Sequence, residues 1–222
     1  MADLKFVRSF SEAGNIKTFV FEVGDTKWQP GQYQEYVLPQ AGESDDDSHR
    51  WFTVASAPSE HEVHISTRMS GSNFKNALDA LKPGETIEAR GAEGDFTWDD
   101  DSEVVLVAGG IGITPIRSMI VERSTTGKLL KAKLLYYGRD ENFAFRELFD
   151  KVAAEHSEFS VEYIVGEPIT ADSIIAHEPR VKERTTYLTG AEPMVESVGN
   201  ALKERGVELK QDWLPGYDEK TY

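Results

Sequence analysis

Three observations predict a two-domain chain, with an antiparallel β-barrel followed by an α/β domain on a parallel sheet. Short β-rich apolar runs, separated by Gly, Pro, Asn and Asp, fill the first hundred residues. Beyond Glu103, strands alternate with helical stretches of about 10 to 15 residues, the pattern of βαβ units. The two styles meet near Trp98–Ser102, so the domains are expected at residues 1–100 and 101–222.

In the first domain the expected strands are Phe6–Phe10, Ile16–Val23, Tyr33–Leu38, Trp51–Val54, Val63–Thr67 and Thr86–Ala89, with one helix near Asn73–Leu81. Turns such as Gln29-Pro30-Gly31 and Lys82-Pro83-Gly84 suit hairpin connections. In the second domain, strands are expected at Val104–Ala108, Ala132–Tyr137, Ser160–Val165 and Thr185–Leu188. Helices are expected near Pro115–Glu122, Phe143–His156 and Pro193–Arg205.

The bulk composition excludes several classes. With 39 acidic against 24 basic residues and a net charge of -15, nucleic acid and anionic membrane surfaces are unsuited as main partners. The acidic runs Glu43–Asp47 and Asp99–Asp101 read as solvated loops. Without cysteine the chain holds no disulfide, thiolate zinc site or Cys-ligated iron–sulfur cluster. Its five histidines have no paired metal-ligand spacing, so no metal is assigned. The opening residues lack a leader pattern and no apolar run approaches the ~18 residues of a membrane span, so a cytoplasmic protein is expected.

The segment Val104-Val105-Leu106-Val107-Ala108-Gly109-Gly110-Ile111-Gly112-Ile113-Thr114-Pro115 is a buried strand running into glycines, then a Pro suited to a helix start. Glycines admit a pyrophosphate close to the backbone, and the helix N-terminus offers free N–H groups. A phosphate-bearing cofactor is the natural guest, and tight packing without a ligand is the alternative. The turn is neither G-x-G-x-x-G nor a P-loop.

Five segments, taken in order, resemble the ferredoxin–NADP reductase family across nearly the whole chain. Arg50-Trp51-Phe52-Thr53 followed by Ser56 resembles the flavin motif Arg-x-Tyr-Thr/Ser. Arg68-Met69-Ser70-Gly71-Ser72-Asn73, with Thr67 before it, is similar to the segment that opens a helix beneath the flavin pyrophosphate. Gly91–Phe96 resembles the turn closing the barrel, and Gly109–Pro115 matches the nicotinamide-nucleotide turn. Tyr187–Val195 resembles the strand-to-helix element beside the nicotinamide.

The resemblance implies a flavin-dependent oxidoreductase of the form lacking an iron–sulfur domain, passing hydride from NADH or NADPH to FAD and electrons to a separate acceptor. That acceptor would be a ferredoxin, flavodoxin, oxygenase component or small molecule. A flavin-binding electron-transfer or redox-sensing subunit without turnover is the alternative. By resemblance, Arg50 pairs with a flavin phosphate, Phe52 lies against the isoalloxazine and Thr53 bonds near its N5 edge. An aromatic face and a guanidinium suit those partners. The alternatives are barrel core for Trp51 and Phe52, and plain helix capping for Gly71, Ser72 and Asn73.

In the second domain Gly109, Gly110, Gly112, Thr114, Pro115, Gly190 and Met194 border the nicotinamide nucleotide in this resemblance, and Met194 at helical spacing also suits core packing. Arg139 would lie near the adenosine end, where its neighbours Asp140 and Glu141 favour a free 2′-hydroxyl, with NADPH kept open. Thr189 stands where many members have Cys and would position the ring by its hydroxyl. Phe52 lacks the hydroxyl of the usual Tyr. Tyr217, in the tail from Asp212, is placed over the outer flavin face. Lys75, Lys82 and Arg68 are the basic residues that would have to gather around the flavin if the acceptor were acidic.

Overall fold

A computed structural model describes residues 2–213. The first sheet joins β1 (Ala2–Ala13), β2 (Ile16–Glu22), β3 (Tyr33–Val37), β4 (His49–Thr53), β5 (Glu62–Arg68) and β6 (Thr86–Glu93) in the order β4-β3-β6-β1-β2-β5. Every pairing is antiparallel. Register irregularities in β1 and between β3 and β6 bend the sheet, as bulges do. Just past β4, the Ala55 amide reaches the His64 carbonyl on β5 at 2.9 Å, drawing the two outer strands together.

Inside lies a core of Leu4, Phe6, Phe19, Phe21, Tyr36 and Ile65. Helix α2 (Asn73–Asp79) closes one end of it, sending Phe74 and Leu78 inward. The Ser72 hydroxyl accepts from the Lys75 amide at 3.4 Å, an N-cap that explains why this helix starts there.

The expectation of a solvated loop at Glu43–Asp47 holds for exposed Glu43 and Ser44, but the rest of the run is not loop. A short helix α1 (Asp45–Ser48) forms there, and Asp47 accepts from the Asn73 amide at 2.9 Å and from the Ser44 hydroxyl at 2.8 Å. Local Ser–Asp bonding and a partner 26 residues away organise the segment, and only the partner is invisible to composition.

The second sheet is parallel throughout. It contains β7 (Val104–Gly109), β8 (Ala132–Gly138), β9 (Phe159–Val165), β10 (Thr185–Thr189) and β11 (Leu209–Asp212) in the order β11-β10-β7-β8-β9. Its helices are α3 (Ile113–Thr126), α4 (Arg146–Glu155), α5 (Ala171–His177) and α6 (Glu192–Glu204). Strands covered on both faces explain the uninterrupted apolar run of β7.

In this half one expected helix starts late and two elements, a helix and a strand, are additional. Helix α4 begins at Arg146, because Phe143, Ala144 and Phe145 are buried in a turn where Phe145 has φ 61°. Helix α5 and strand β11 escape the sequence pattern, being 7 and 4 residues long. Among the described residues no helix is long and apolar enough to cross a membrane.

Helix α3 binds the two sheets to each other. Arg117 donates to the Ala55 carbonyl at 2.7 Å and makes two bonds to Glu60, at 2.7 and 2.8 Å, while Ser118 donates to the Ser56 carbonyl at 2.6 Å. Burial alone would push the Glu60 carboxyl up, but the Arg117 guanidinium outweighs it and holds the group below its ordinary value.

Candidate functional site

Chain order puts β8 on one side of β7 and β10 on the other, so the gap between the ends of β7 and β10 is where the winding reverses. In open α/β sheets ligands bind outside the strand C-termini at that point. Two turns meet there. Gly110 adopts φ 54°, and a Cβ on Gly112 would stand 2.7 Å from the Gly190 Cα. Only glycine at 112 permits this approach. The Tyr136 hydroxyl donates to the Gly110 carbonyl at 3.0 Å and braces the turn from below.

A cleft opens at this crossing, walled on the sheet side by Ile111, Gly112, Thr114, Pro115, Thr189 and Gly190. The barrel supplies the opposite wall with Phe52, Thr53 and Ser66. Asp212 and Trp213 complete the lining. The first domain's Arg-x-aromatic-Thr strand and the second domain's glycine turn, 60 residues apart in the chain, thus face one space.

Both candidate catalytic residues are here and buried, with Thr53 at 6% and Thr189 at 3% exposure. Among the described residues neither hydroxyl has a hydrogen-bond partner, which leaves both available to a guest. Thr114 instead turns its hydroxyl to the Ile111 carbonyl at 3.2 Å and holds the turn. Phe52 serves both expectations. Its ring packs on Tyr36 and Phe74 within the barrel and also lines the cleft.

Trp51 is not barrel core. It is 39% exposed and meets Tyr33 edge-on at 5.5 Å. Strand alternation requires this, because Phe52 takes the inward position.

Farther along the barrel three cations converge. Burial, then the charges of Arg50 and Arg68, lower Lys75 to about 8. Lys75 is therefore no surface cation waiting for an acidic acceptor. It is buried, and its Nζ donates to the Arg68 carbonyl at 2.8 Å. Like charges held this close suit a bound dianion such as a pyrophosphate. The Thr67 hydroxyl, fully buried, has no partner among the described residues.

Gly71 (φ 77°) and the capping Ser72 stand at the start of α2 beside this cluster, with the Asn73 side chain spent on Asp47. The Ser56 hydroxyl is likewise engaged, accepting from the His64 amide at 3.0 Å.

Gly109 and Met194 lie at the cleft's sheet side, where the Met194 methyl is 2.5 Å from a Cβ built on Gly190. Arg139 is exposed, two residues past the Tyr137 that pairs with Gly109, so it shares the sheet edge without lining the cleft. Its neighbour Glu141 pairs with Arg146 at 3.0 Å, and Asp140 accepts from the Asn142 amide. The acidic pair is thereby partly neutralised. Tyr217 lies outside the described residues.

Ser66, Ile111, Asp212 and Trp213 line the cleft without having been singled out in the sequence, and Asp212 is the ionisable one among them. Strand β11 pairs it with Thr189, and burial, then the charge of Asp95, raises its carboxyl to about 6. At four residues, β11 offers no period by which the sequence could have marked it.

No family model matches the chain. Among curated proteins, it is 29% identical over 97% of its length to a flavohemoprotein of Candida albicans and 33% identical over 67% to ferredoxin–NADP reductase B of Sorangium cellulosum. Its relatives and structural neighbours alike match the ferredoxin–NADP reductase family. The chain spans 60% and 59% of the length of those two family relatives.

The family fold recurs in solved structures. A cytochrome P450 reductase of Amycolatopsis superposes with TM-score 0.79 over 95% of this chain and 69% of its own, at 21% identity. The FAD/NAD-binding domain of a Vibrio cholerae nitric oxide dioxygenase gives 0.76 over 95% and 98%, at 19% identity.

Proposed function

We propose that the chain is a flavin-dependent NAD(P)H oxidoreductase, in which residues 1–100 hold FAD and residues 101–222 receive NADH or NADPH. The cleft carries this reading, because it brings Phe52 and Thr53 opposite the glycine turn and Thr189. FAD would lay its ring along Phe52 and its pyrophosphate among Arg50, Arg68 and Lys75. The residues fit the group, since three converging cations and a buried Thr67 hydroxyl with no partner among the described residues suit an anionic cofactor. When bound, the flavin supplies hydride and single-electron chemistry, and the protein's task is to bind, orient and exclude water.

Each wall has its share of that task. Thr53 would hydrogen-bond near the reactive edge, and Thr189 would position the nicotinamide ring. Gly109, Gly110 and Gly112 would let the dinucleotide backbone approach, with Arg139 toward its adenosine end. Electrons then pass to a separate acceptor, as befits relatives that include a propane 2-monooxygenase reductase component.

An anaerobic absorbance titration of the purified chain with NADH and with NADPH tests this. Bleaching of the flavin band is expected, and the faster nucleotide names the donor. A yellow protein that neither bleaches would mark a flavin-binding electron-transfer subunit instead. A colourless protein that takes up neither FAD nor FMN would overturn both.

A further inference from the structure

A row of hydroxyls leads away from the cleft on the barrel side. Ser66, 5% exposed, lines the cleft, and its Oγ lies 2.7 Å from the Thr18 Oγ1 across the β2–β5 pair. Thr18, 1% exposed, donates in turn to the Glu12 carboxylate at 3.0 Å. Glu12 is only partly covered. Burial raises its carboxyl above the usual value despite the opposing pull of the Thr18 hydroxyl, the Arg117 charge and the Phe145 amide. Arg117 on α3 and the Tyr136 phenol on β8 are the ionisable groups facing it.

We propose that Ser66, Thr18 and Glu12 form a proton exit from the cleft, an inference that rests on the flavin reading above. Oxidation of NAD(P)H by two one-electron acceptors leaves one proton to be removed: NAD(P)H + 2 oxidised acceptor → NAD(P)⁺ + 2 reduced acceptor + H⁺. Hydroxyl chemistry fixes the direction of the row. An ionised carboxylate only accepts, so Thr18 commits its single hydrogen to Glu12. Its oxygen then accepts from Ser66, and the Ser66 oxygen is left to accept on the cleft side.

A proton reaching Ser66 Oγ displaces the Ser66 hydrogen to Thr18, and the Thr18 hydrogen passes to Glu12. Each O–H bond that breaks in the row is matched by one that forms. Glu12 then releases the proton to water, and ionised again, it restores the original orientation. A carboxyl raised toward neutral pH suits both steps better than an ordinary one.

The test uses the flavin-loaded chain, chemically reduced and mixed with ferricyanide in weak buffer containing a pH-indicator dye. Chemical reduction keeps the nicotinamide half out of the measurement. Thr18→Val keeps the shape and removes the hydroxyl, and Glu12→Gln removes the terminal acceptor. In the parent chain, proton release should coincide with flavin oxidation. In both variants it should slow roughly a hundredfold or more, the range of a lost proton-transfer group.

The flavin reduction potential of Thr18→Val should stay where it is, because a route changes rates and not equilibria. In the flavin-free chain, the ¹³C titration of the Glu12 carboxyl should move upward in Thr18→Val as a hydrogen bond to the ionised form is lost. Unchanged proton release in both variants would overturn the exit. So would a potential that shifts along with the rate, or a lag produced by Asp212→Asn alone. A chain that retains no flavin overturns the proposed function instead.

Discussion

The two walls of the cleft are built from different materials. On the barrel side the groups offered to a guest are side chains, with Arg50, Phe52, Thr53 and Lys75 standing on β4 and at α2. On the sheet side they are mostly backbone, where the turns at Gly109–Gly112 and Thr189–Gly190 approach so closely that a single Cβ would collide. A side-chain wall is tuned by changing chemical groups and loses function in steps. A backbone wall tolerates varied neighbours yet fails when any atom is added at the contact.

Breaking the seam between the walls should produce the largest effect. Arg117→Met leaves the part-buried Glu60 without its cation and the Ala55 carbonyl without its donor, and urea unfolding should register a loss of about 3 kcal/mol or more, toward the cost of breaking a buried pair. On the backbone wall, Gly112→Ala drives a Cβ into the Gly190 backbone. It should slow flavin bleaching by nucleotide about a hundredfold, as a displaced reacting geometry does, with flavin content retained.

The side-chain wall should yield by degrees. Arg50→Ala should weaken FAD binding about tenfold or more, read by flavin fluorescence, for one lost charged hydrogen bond. Lys75, near 8 in the free chain, should be raised by a bound pyrophosphate. Affinity for FAD should then be full below pH 8 and fall above it, and the Lys75→Met variant should lose that dependence.

The smallest effect belongs to Asp212. Its folded value of about 6 lies above the ordinary 3.8, so the folded chain binds the extra proton and stability declines as pH rises across that interval. Asp212→Asn should remove the decline and stabilise the chain by about 1–2 kcal/mol above pH 6, less than the roughly 3 kcal/mol of a fully dry site. Thermal unfolding between pH 4 and 8 reads it directly.

By itself, the sequence determined the two domains' styles, most strand positions and the glycine turn, because these depend on local periodicity and on residues with unusual backbone freedom. It also marked Thr53 and Thr189, each embedded in a recognisable run. The tertiary structure alone decided what those runs face. The ordering of Glu43–Asp47 depends on Asn73, the weakened proton affinity of Lys75 on its burial and on the charges of Arg50 and Arg68, and the late start of α4 on burial of the Phe143–Phe145 turn. Strand β11, four residues long, is too short to show a period, yet it places Asp212 beside Thr189. Long-range pairing sets the dielectric and the charge around each group, and no local pattern carries that information.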